Sequence, residues 1–384
     1  MKYLSKNILV IGGAGFIGSH LIDTLLEKNH IVTVYDALEP QVHGKISEPP
    51  QYLAKDIKFI KDDVRNQTKL LKSLQDIEVI INLAAMVGVG QSMYQIDKYV
   101  DVNVLGTARL LDILVNEPND VQKVIVASSM STYGEGAYFC ENCGNISPEL
   151  RKKPQLEKGD WELNCPSCGR KAKPIPTDEN KPQDCTSIYA LTKKEQEKMS
   201  LLIGETYGIN TTALRLFNVY GSRQSLSNPY TGVCAIFSSS LLCGNPPIIF
   251  EDGEQTRDFI HINDICQAFM LSMEKSLAKD EVFNVGVGKP ISINAVAKIL
   301  ADYINPNITP IITNQFRPGD IRHCVSDIKK INSKLGFSPK YMFNEGIREL
   351  IDWVREQEGK IEDKSSVALR ELSSKGLIKS MKSN

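Results

Sequence analysis

The sequence lacks an excess of charge of either sign. Its 384 residues include 45 Lys and Arg against 46 Asp and Glu, which gives a formal net charge of −1. A protein that binds nucleic acid through its phosphates needs a strongly basic face, and so does one held at an anionic membrane surface. We therefore expect neither nucleic acid nor a membrane to be the main partner.

Long apolar runs are also missing. A bilayer span takes ~20 consecutive apolar residues, and no stretch of this chain approaches that length. The apolar residues 8–11, which follow Lys2 and Lys6, resemble the start of a secretory signal, but glycines interrupt the run from Gly12 onward. Internal repeats and low-complexity tracts are absent as well. We expect a cytoplasmic globular protein of about two domains.

Short apolar strands alternate with helical patterns in the first half of the chain. Continuous apolar runs at residues 7–11, 31–35, 79–81 and 124–126 are typical of parallel strands covered on both faces. The sequence therefore predicts an α/β fold with a Rossmann-type doubly wound parallel sheet, in which ligands bind beyond the carboxyl ends of the strands. We assign residues 1–212 to this dinucleotide-binding domain, with an insertion at about 135–176. Residues 213–355 are assigned to a smaller C-terminal substrate-binding region, and residues 356–384 to a polar tail, either a surface helix or a frayed end.

A glycine-rich turn follows the first predicted strand and opens a helix. Gly12 permits the tight turn, Gly15 lets a pyrophosphate approach the backbone, and Gly18 allows close packing of helix on strand. Asp36 ends the second strand, where a carboxylate can accept hydrogen bonds from ribose hydroxyls. No Arg or Lys adjoins it, which favours NAD over NADP. The alternative is a plain turn between strand and helix.

Tyr189 and Lys193 form a Tyr-x-x-x-Lys pattern on a predicted helix, so that the phenol and the ammonium share one face. An adjacent ammonium and a positive nicotinamide would lower the pKa of the phenol and make it a usable base. A hydroxyl from the serine-rich segment 128–131, which follows a strand, could steady the substrate oxygen. The alternatives are a chance spacing on the protein surface and an ordinary serine-rich loop.

Four of the nine cysteines form two Cys-x-x-Cys pairs within the insertion, and a glycine follows each pair. Such pairs in a reducing compartment indicate metal rather than disulfides, and four thiolates complete a structural tetrahedral zinc site. The predicted ligands of this zinc-ribbon-like insertion are Cys140, Cys143, Cys165 and Cys168. Free thiols or an iron centre are the alternatives, and we consider that the insertion forms a lid, a rim of the cleft or an assembly surface. A nucleic-acid-binding ribbon would have to rely on the short basic run 151–153.

In combination, these motifs closely resemble the extended short-chain dehydrogenase/reductase family, specifically its nucleotide-sugar epimerases and dehydratases. The order is the glycine-rich turn, Asp36, Asp63-Val64, Asn-Leu-Ala-Ala at 82–85, Ser-Ser-x-x-x-Tyr-Gly at 128–134 and Tyr-x-x-x-Lys. Further matching segments lie at 214–221, 257–261, 283–286 and 317–320. The resemblance covers about residues 7–355, apart from the cysteine insertion.

The resemblance implies a role for each matching residue. Tyr189 would be the catalytic base, Lys193 would tune it and contact the ribose, and Ser129 would hold the substrate hydroxyl. The cofactor NAD would be bound by Gly12, Gly15, Phe16, Ile17, Gly18, Asp36, Asp63, Val64, Leu83, Ala84, Ala85, Asn103, Tyr189 and Lys193. A nucleotide-diphosphate sugar would be bound by Ser129, Asn218, Arg257, Arg317 and Asp320. A homodimer joined through the helices near 93–116 and 187–207 is implied as well.

The loop after Ser129 bears on the reaction. Dehydratases that resemble this chain carry Asp-Glu at this point and decarboxylases usually a Glu, whereas this chain has Met130 and Ser131. Epimerisation at C4 through a 4-keto sugar is the remaining expectation. Segments 227–233 and 249–253, with the cysteine insertion, resemble a bacterial subgroup that converts dTDP-L-rhamnose to dTDP-6-deoxy-L-talose. The alternatives are epimerisation of UDP-glucose or a UDP-N-acetylhexosamine, a non-catalytic NAD-binding regulator, and a one-way reductase.

Overall fold

The computed structural model describes residues 5–382. Its strands are β1 (Asn7–Ile11), β2 (Ile31–Asp36), β3 (Lys58–Lys61), β4 (Val79–Asn82), β5 (Lys123–Ser129), β6 (Ala137–Cys140), β7 (Gly144–Ile146), β8 (Lys173–Ile175), β9 (Asn210–Leu216), β10 (Asn218–Tyr220), β11 (Ile248–Ile249), β12 (Thr256–His261), β13 (Glu281–Val285), β14 (Pro290–Ser292), β15 (Ile311–Ile312), β16 (Gln315–Phe316), β17 (His323–Cys324) and β18 (Lys379–Ser380).

The α-helices are α1 (Phe16–Glu27), α2 (Pro40–His43), α3 (Gln67–Ser73), α4 (Val89–Ser92), α5 (Ile96–Tyr99), α6 (Gly106–Asn116), α7 (Lys153–Leu156), α8 (Ile188–Tyr207), α9 (Val233–Leu242), α10 (Ile262–Glu274), α11 (Ile293–Ile304), α12 (Lys329–Leu335), α13 (Phe343–Arg355) and α14 (Ser365–Ser374). A π-helical turn, Val100–Leu105, joins α5 to α6 without a break. Short 3₁₀ turns follow β5 and α10 at Met130–Tyr133 and Ser276–Ala278.

The largest sheet has seven parallel strands in the order β13-β9-β5-β4-β1-β2-β3. Its central strands are buried along almost their whole length. One face packs against α1 and α10, and the other against α3, α6 and α8. This arrangement confirms the predicted Rossmann-type sheet, and it brings the carboxyl ends of β1, β2, β4 and β5 to one edge.

A smaller layer follows the large sheet in sequence. In it β12 pairs with β10, β14 and β17, and its apolar side packs against α9, α11 and α13. The chain does not simply pass from one layer to the other, because β13, which follows β12, returns to the edge of the large sheet beside β9. The two layers therefore meet along a cleft that both of them line.

The insertion between β5 and α8 contains a three-stranded antiparallel sheet in the order β7-β6-β8. An isolated antiparallel bridge joins Asn164 to Lys171 in the segment between β7 and β8. The C-terminal segment contains α14 and β18, and β18 pairs with β16 in a separate two-stranded sheet. Within residues 5–382, no helix is long and apolar enough to cross a membrane.

Candidate active site

A cavity of about 480 Å³ lies at the carboxyl edge of the large sheet. It is lined by every predicted cofactor residue except Asn103, and also by Ser129 and Asn218. Asn103 is buried behind the wall, where its amide group donates to Met86 O at 3.1 Å and to Thr192 Oγ1 at 2.9 Å. Asn103 therefore holds the wall of the cavity in place rather than facing into it.

The glycine-rich turn brings the backbone of β1 close to the segment after β4. Gly12 has φ of +78°, and a Cβ on it would lie 2.8 Å from Ala84 N. A Cβ on Gly18 would lie 2.6 Å from Gly13 Cα, so both positions require glycine. A Cβ on Gly15, in contrast, would approach only Gly12 O, at 3.4 Å. The free N–H groups at the start of α1 are thus accessible to a phosphate.

Asp36 lies at the end of β2 and is buried. Its carboxylate accepts hydrogen bonds from Ala14 N at 2.9 Å and Leu38 N at 2.8 Å. Burial raises the pKa of Asp36, while the two N–H groups and the nearby His43 act in the opposite direction. His43, at the end of α2, also lines the cavity. The sequence did not indicate this residue, because no motif marks it and only the fold brings α2 to the cavity.

Asp63 is held by a neighbouring arginine. Arg65 donates to it from Nε at 2.8 Å and Nη2 at 2.7 Å, and these bonds hold the pKa of Asp63 below its usual value. Arg65 also pairs with Asp101 at 2.6 Å. The carboxylate is therefore charged and fixed beside Val64 at the cavity wall.

Tyr189 lies in the first turn of α8. Ser187 caps this helix by accepting a hydrogen bond from Ala190 N at 3.1 Å, and the backbone N–H of Tyr189 donates to Ser92 Oγ at 3.0 Å. Burial raises the pKa of Tyr189, and a smaller contribution from the Ser129 hydroxyl lowers it. The expectation of a lowered phenol pKa is not what these surroundings produce, because burial removes water from around the phenolate.

Lys193 lies one turn further along α8 and is also buried. Its ammonium donates to Gln196 Oε1 at 2.8 Å, and burial lowers the pKa of this amine to about 7. Gln196 in turn donates to Ala84 O at 3.2 Å and to Thr107 Oγ1 at 2.9 Å. Gln196, which is absent from the predicted site, lies three residues beyond Lys193 on α8 and fixes the position of the lysine head group. The contacts that orient Gln196 come from residues that only the fold brings close.

The two adjacent serines of β5 have different partners. Ser128 Oγ donates to Glu197 Oε2 at 2.6 Å, and Glu197 forms a buried ion pair with Arg215 at 2.6 Å. Ser129 Oγ instead accepts from Ser131 Oγ at 2.9 Å and lies beside the phenol of Tyr189. Ser129 is thus the serine available for a bound oxygen.

A second cavity, of about 340 Å³, lies between the large sheet and the smaller layer. Arg257, Arg317, Asp320 and Asn218 line it. Arg317 pairs with Asp320 at 2.7 Å. Asn218 Oδ1 is buried without a hydrogen-bond partner among residues 5–382, which indicates a position for a ligand donor.

The two cavities form one continuous cleft. The residues that line both are Gly88, Val89, Met130, Ser131, Asn218, Tyr230, Thr231, Gly232 and Val233. The glycine-rich turn and the Tyr189–Lys193 pair lie on one side of this shared boundary, and the two arginines lie on the other. A ligand with a diphosphate near Arg257 and Arg317 can therefore extend towards Tyr189.

The four predicted metal ligands are together at the tip of the insertion. Their sulfur atoms all lie within 4.8 Å of one another, and Cys140 Sγ is 3.5 Å from Cys168 Sγ. With Zn–S bonds of about 2.3 Å, a tetrahedral site separates its sulfurs by roughly 3.8 Å. The donor set and its spacing fit a zinc ion. Gly144 and Gly169, with φ of +76° and +73°, form the turns behind the thiols.

The basic run of the insertion is only partly on the surface, since Lys152 and Lys153 are exposed but Arg151 is not. Arg151 is buried, pairs with Glu251 at 2.8 Å and donates to Asp320 O at 3.0 Å. No residue of the insertion is among the described residues that line either cavity. The insertion therefore reaches the cleft indirectly, through the side chain of Glu251 and the backbone of Asp320.

The chain is similar to known proteins in both sequence and fold. The family model described as GDP-mannose 4,6-dehydratase matches residues 9–142 and 169–350, so that the unmatched gap falls within the cysteine insertion. A dTDP-L-rhamnose 4-epimerase of Burkholderia thailandensis is 34% identical over 354 residues, which is 92% of this chain and 96% of that protein.

Two solved structures have similar folds. The UDP-N-acetylglucosamine 4-epimerase of Methanobrevibacter ruminantium, in complex with UDP-N-acetylmuramic acid, has a TM-score of 0.74 and 31% identity over 92% of this chain and all of that one. The UDP-glucuronic acid 4-epimerase of Bacillus cereus, in complex with UDP-glucuronic acid and NAD, has a TM-score of 0.74 and 27% identity, covering 91% of this chain and 99% of that one. All three proteins are named for inversion at C4.

Proposed function

Because the chain belongs to the extended short-chain dehydrogenase/reductase family, through the model described as GDP-mannose 4,6-dehydratase, we propose that it binds NAD and inverts C4 of a nucleotide sugar. It is an enzyme of the nucleotide-sugar epimerase class. The observation that supports the proposal is the continuous cleft, which connects the cavity of the glycine-rich turn and Tyr189 with the cavity of the two arginines.

The cavity at the sheet edge is the proposed NAD site. The N–H groups at the start of α1 would bind the pyrophosphate, Asp36 a ribose, and the pocket beside Asp63 and Val64 the adenine. The carboxylate of Asp36 would repel a 2′-phosphate, which favours NAD over NADP. When bound, NAD supplies an acceptor that takes up hydride from C4 and returns it.

Tyr189 is the proposed acid and base. Its phenol oxygen would take the proton of the C4 hydroxyl as the carbonyl forms and return it after the sugar has turned. The Ser129 hydroxyl, beside that phenol, would hold the same oxygen. Burial raises the pKa of Tyr189, so the positive charges of Lys193 and the oxidised cofactor have to lower it in the loaded enzyme.

The loop that follows Ser129 favours inversion over elimination. Met130 is buried against Tyr133 and Phe217, and Ser131 donates to Ser129. Neither side chain can act as an acid or base near neutral pH, so removal of water from C5 and C6 has no catalyst at this point. Arg257 and Arg317 would retain the diphosphate while the 4-keto sugar turns.

The proposed substrate is dTDP-L-rhamnose, with dTDP-6-deoxy-L-talose as the product. Support comes from the Burkholderia relative, whose similarity extends over most of both chains. The alternative is a UDP-sugar, which is the ligand of the two similar solved structures. We further propose that the enzyme is a homodimer and that the cysteine insertion binds a structural zinc ion.

The test is to incubate the purified protein with a panel of dTDP- and UDP-sugars and to detect C4 inversion by NMR. We expect inversion of dTDP-L-rhamnose without added NAD and without accumulation of NADH. Stoichiometric NADH release would instead indicate a reductase. Absence of turnover with all sugars, in protein that retains NAD, would favour the non-catalytic regulator.

A further inference from the structure

The helix α14, in the C-terminal segment beyond the matched family model, forms part of the wall of the substrate cavity. Its lining residues are Ser365, Ala368, Leu369 and Leu372. The spacing i, i+3, i+4, i+7 places all four on one face of the helix. The opposite face, which includes Val367 and Arg370, is exposed. The one apolar face of α14 is thus turned towards a space that a ligand would fill.

The Leu372 end of this wall contacts α4, the helix that supports the backbone of Tyr189. Leu372 packs against Gly90 so closely that a Cβ on the glycine would lie 3.1 Å from Leu372 Cδ2. Gly90 belongs to α4, whose Ser92 accepts the hydrogen bond from the backbone of Tyr189. A sugar that reaches Tyr189 would therefore meet the Leu372 end of α14.

Several contacts fix α14 in this position. Glu371 accepts hydrogen bonds from Tyr94 at 2.8 Å and from Tyr230 at 2.6 Å. Beyond the helix, β18 pairs with β16, and Lys382 forms an ion pair with Glu157 at 2.9 Å. The C-terminal segment is therefore attached to the large-sheet domain, the smaller layer and the insertion.

The charged groups of the cavity lie on other elements and already have partners. Glu251 pairs with Arg151 and Arg322, Arg317 pairs with Asp320, and Arg257 donates to the carbonyl oxygens of Thr256, Ile321 and Arg322. On α14, only Ser365 offers a polar side chain among the described lining residues. It lies at the end of the helix opposite to Leu372, beside Ser240.

We propose that Leu369 and Leu372 are specificity-determining residues that select a hexose without a hydroxyl or carboxylate on C6. A methyl group is compatible with this apolar wall, whereas a polar substituent placed there loses its hydrogen bonds to water and gains none. The inference rests on the proposed epimerase function and extends it, because it assigns the choice of sugar to a segment outside the matched family model.

The experiment compares dTDP-L-rhamnose with its 6-hydroxy analogue, dTDP-L-mannose, in the full-length enzyme. For wild type we expect kcat/KM to favour the 6-deoxy sugar by about ten-fold or more. Leu369→Ser and Leu372→Ser should lower this ratio about ten-fold, chiefly through KM, at unchanged NAD content. Leu369→Met should retain the ratio. Val367→Ser, on the exposed face of the same helix, is the matched control and should leave both kinetic constants unchanged.

The outcomes separate this inference from the function on which it rests. If wild type inverts the 6-deoxy sugar but both serine variants keep its preference, α14 does not select the sugar and the epimerase assignment stands. A wild-type preference for a 6-hydroxyl or a hexuronate sugar also overturns the inference while leaving an epimerase. Absence of C4 inversion with any sugar overturns the proposed function, and this inference with it.

Discussion

At the residue scale, the pKa of the Tyr189 phenol depends on neighbouring groups with opposite effects. Burial raises the pKa of its phenol, and the neighbouring Ser129 hydroxyl lowers it. The ammonium of Lys193 is directed to Gln196. The protein alone therefore keeps the phenol protonated, and its conversion to a base depends on the charge that arrives with the oxidised cofactor.

Tyr189→Phe should abolish proton transfer while leaving the cavity intact. We expect kcat to fall by about 10²–10⁴-fold, the usual contribution of a positioned acid or base. The measurement is C4 inversion by NMR, with bound NAD quantified in parallel. Tyr207→Phe changes an exposed tyrosine at the other end of the same helix and should be neutral. Inversion by Tyr189→Phe at the wild-type rate would eliminate this tyrosine as the base.

Lys193 should make stability depend on pH. Its pKa is about 7 in the folded protein and 10.5 for the free amine. The unfolded chain therefore binds more protons between these values, so that stability rises with pH across this window. The cost of the buried amine is fully present below pH 7 and has vanished above pH 10.5.

Lys193→Met should remove this dependence. Between pH 7.5 and 9.5 the free energy of unfolding of cofactor-free wild type should rise, relative to the variant, by on the order of 2 kcal/mol. Urea titrations at the two pH values measure the difference. Lys198→Met, which changes an exposed lysine of the same helix, should follow wild type. Parallel curves for wild type and Lys193→Met would contradict the depressed pKa.

Single residues were predictable from sequence where one local rule decides their role. Gly12 and Gly18 stand where a Cβ would meet backbone atoms, and a short motif is enough to identify such a turn. The supporting role of Asn103 and the orientation of Gln196, the partner of Lys193, were not predictable. Both depend on side chains that lie far away in the sequence, Thr192 for Asn103 and Thr107 for Gln196.

At the element scale, the insertion combines a feature that the sequence indicates with one that it does not. The Cys-x-x-Cys spacing predicts that the four thiols meet, and their sulfurs lie within 4.8 Å of one another. The basic run beside them gives no sign that Arg151 is buried among Glu135 and Glu251. Nor does the polar composition of the C-terminal segment indicate that α14 adjoins the cleft, since only four of its positions form the cavity face.

Zinc analysis tests the thiol cluster. We expect about one zinc per chain by elemental mass spectrometry, because four thiolates complete a tetrahedral site. Cys143→Ser should lose the metal, whereas Cys243→Ser, which changes an exposed cysteine outside the cluster, should retain it. Purification of the wild type with iron, or with no metal after growth in zinc-supplemented medium, would contradict the zinc assignment.

At the scale of the whole molecule, the order of strands could be predicted only in part. The sequence indicates β1, β2, β4 and β5 as apolar runs, whereas β3, which carries a lysine at each end, is a weaker pattern. The return of β13 to the sheet edge beside β9 was not evident, because the intervening chain builds the smaller layer first. The cleft exists because of this return, which brings the two layers together.

The proposed homodimer gives a role to apolar side chains that the single chain leaves exposed. On α8, Leu191 and Leu202 are 44% and 63% exposed, and eleven residues, about three helical turns, separate them. Further exposed apolar residues lie before and along the helix from α5 to α6: Met93, Ile96, Val100 and Leu105. The π-helical turn spans Val100–Leu105. Because a π-helix has more residues per turn, Leu105 lies closer to the helix face that carries Val100 than it would in an uninterrupted α-helix.

Two such faces, one from each copy, would form a four-helix interface, and a charge within it should dissociate the dimer. We expect wild type to sediment as a dimer at micromolar concentration, and Ile96→Asp and Leu202→Asp to sediment as monomers, because an unpaired carboxylate would be buried. Leu277→Asp, at a position 61% exposed after α10, is the matched control and should remain dimeric. A monomeric wild type would leave these apolar side chains without the proposed role.

The opposite face of α8 carries Tyr189 and Lys193. Monomeric variants that retain activity would therefore show that this helix holds the active site without a partner.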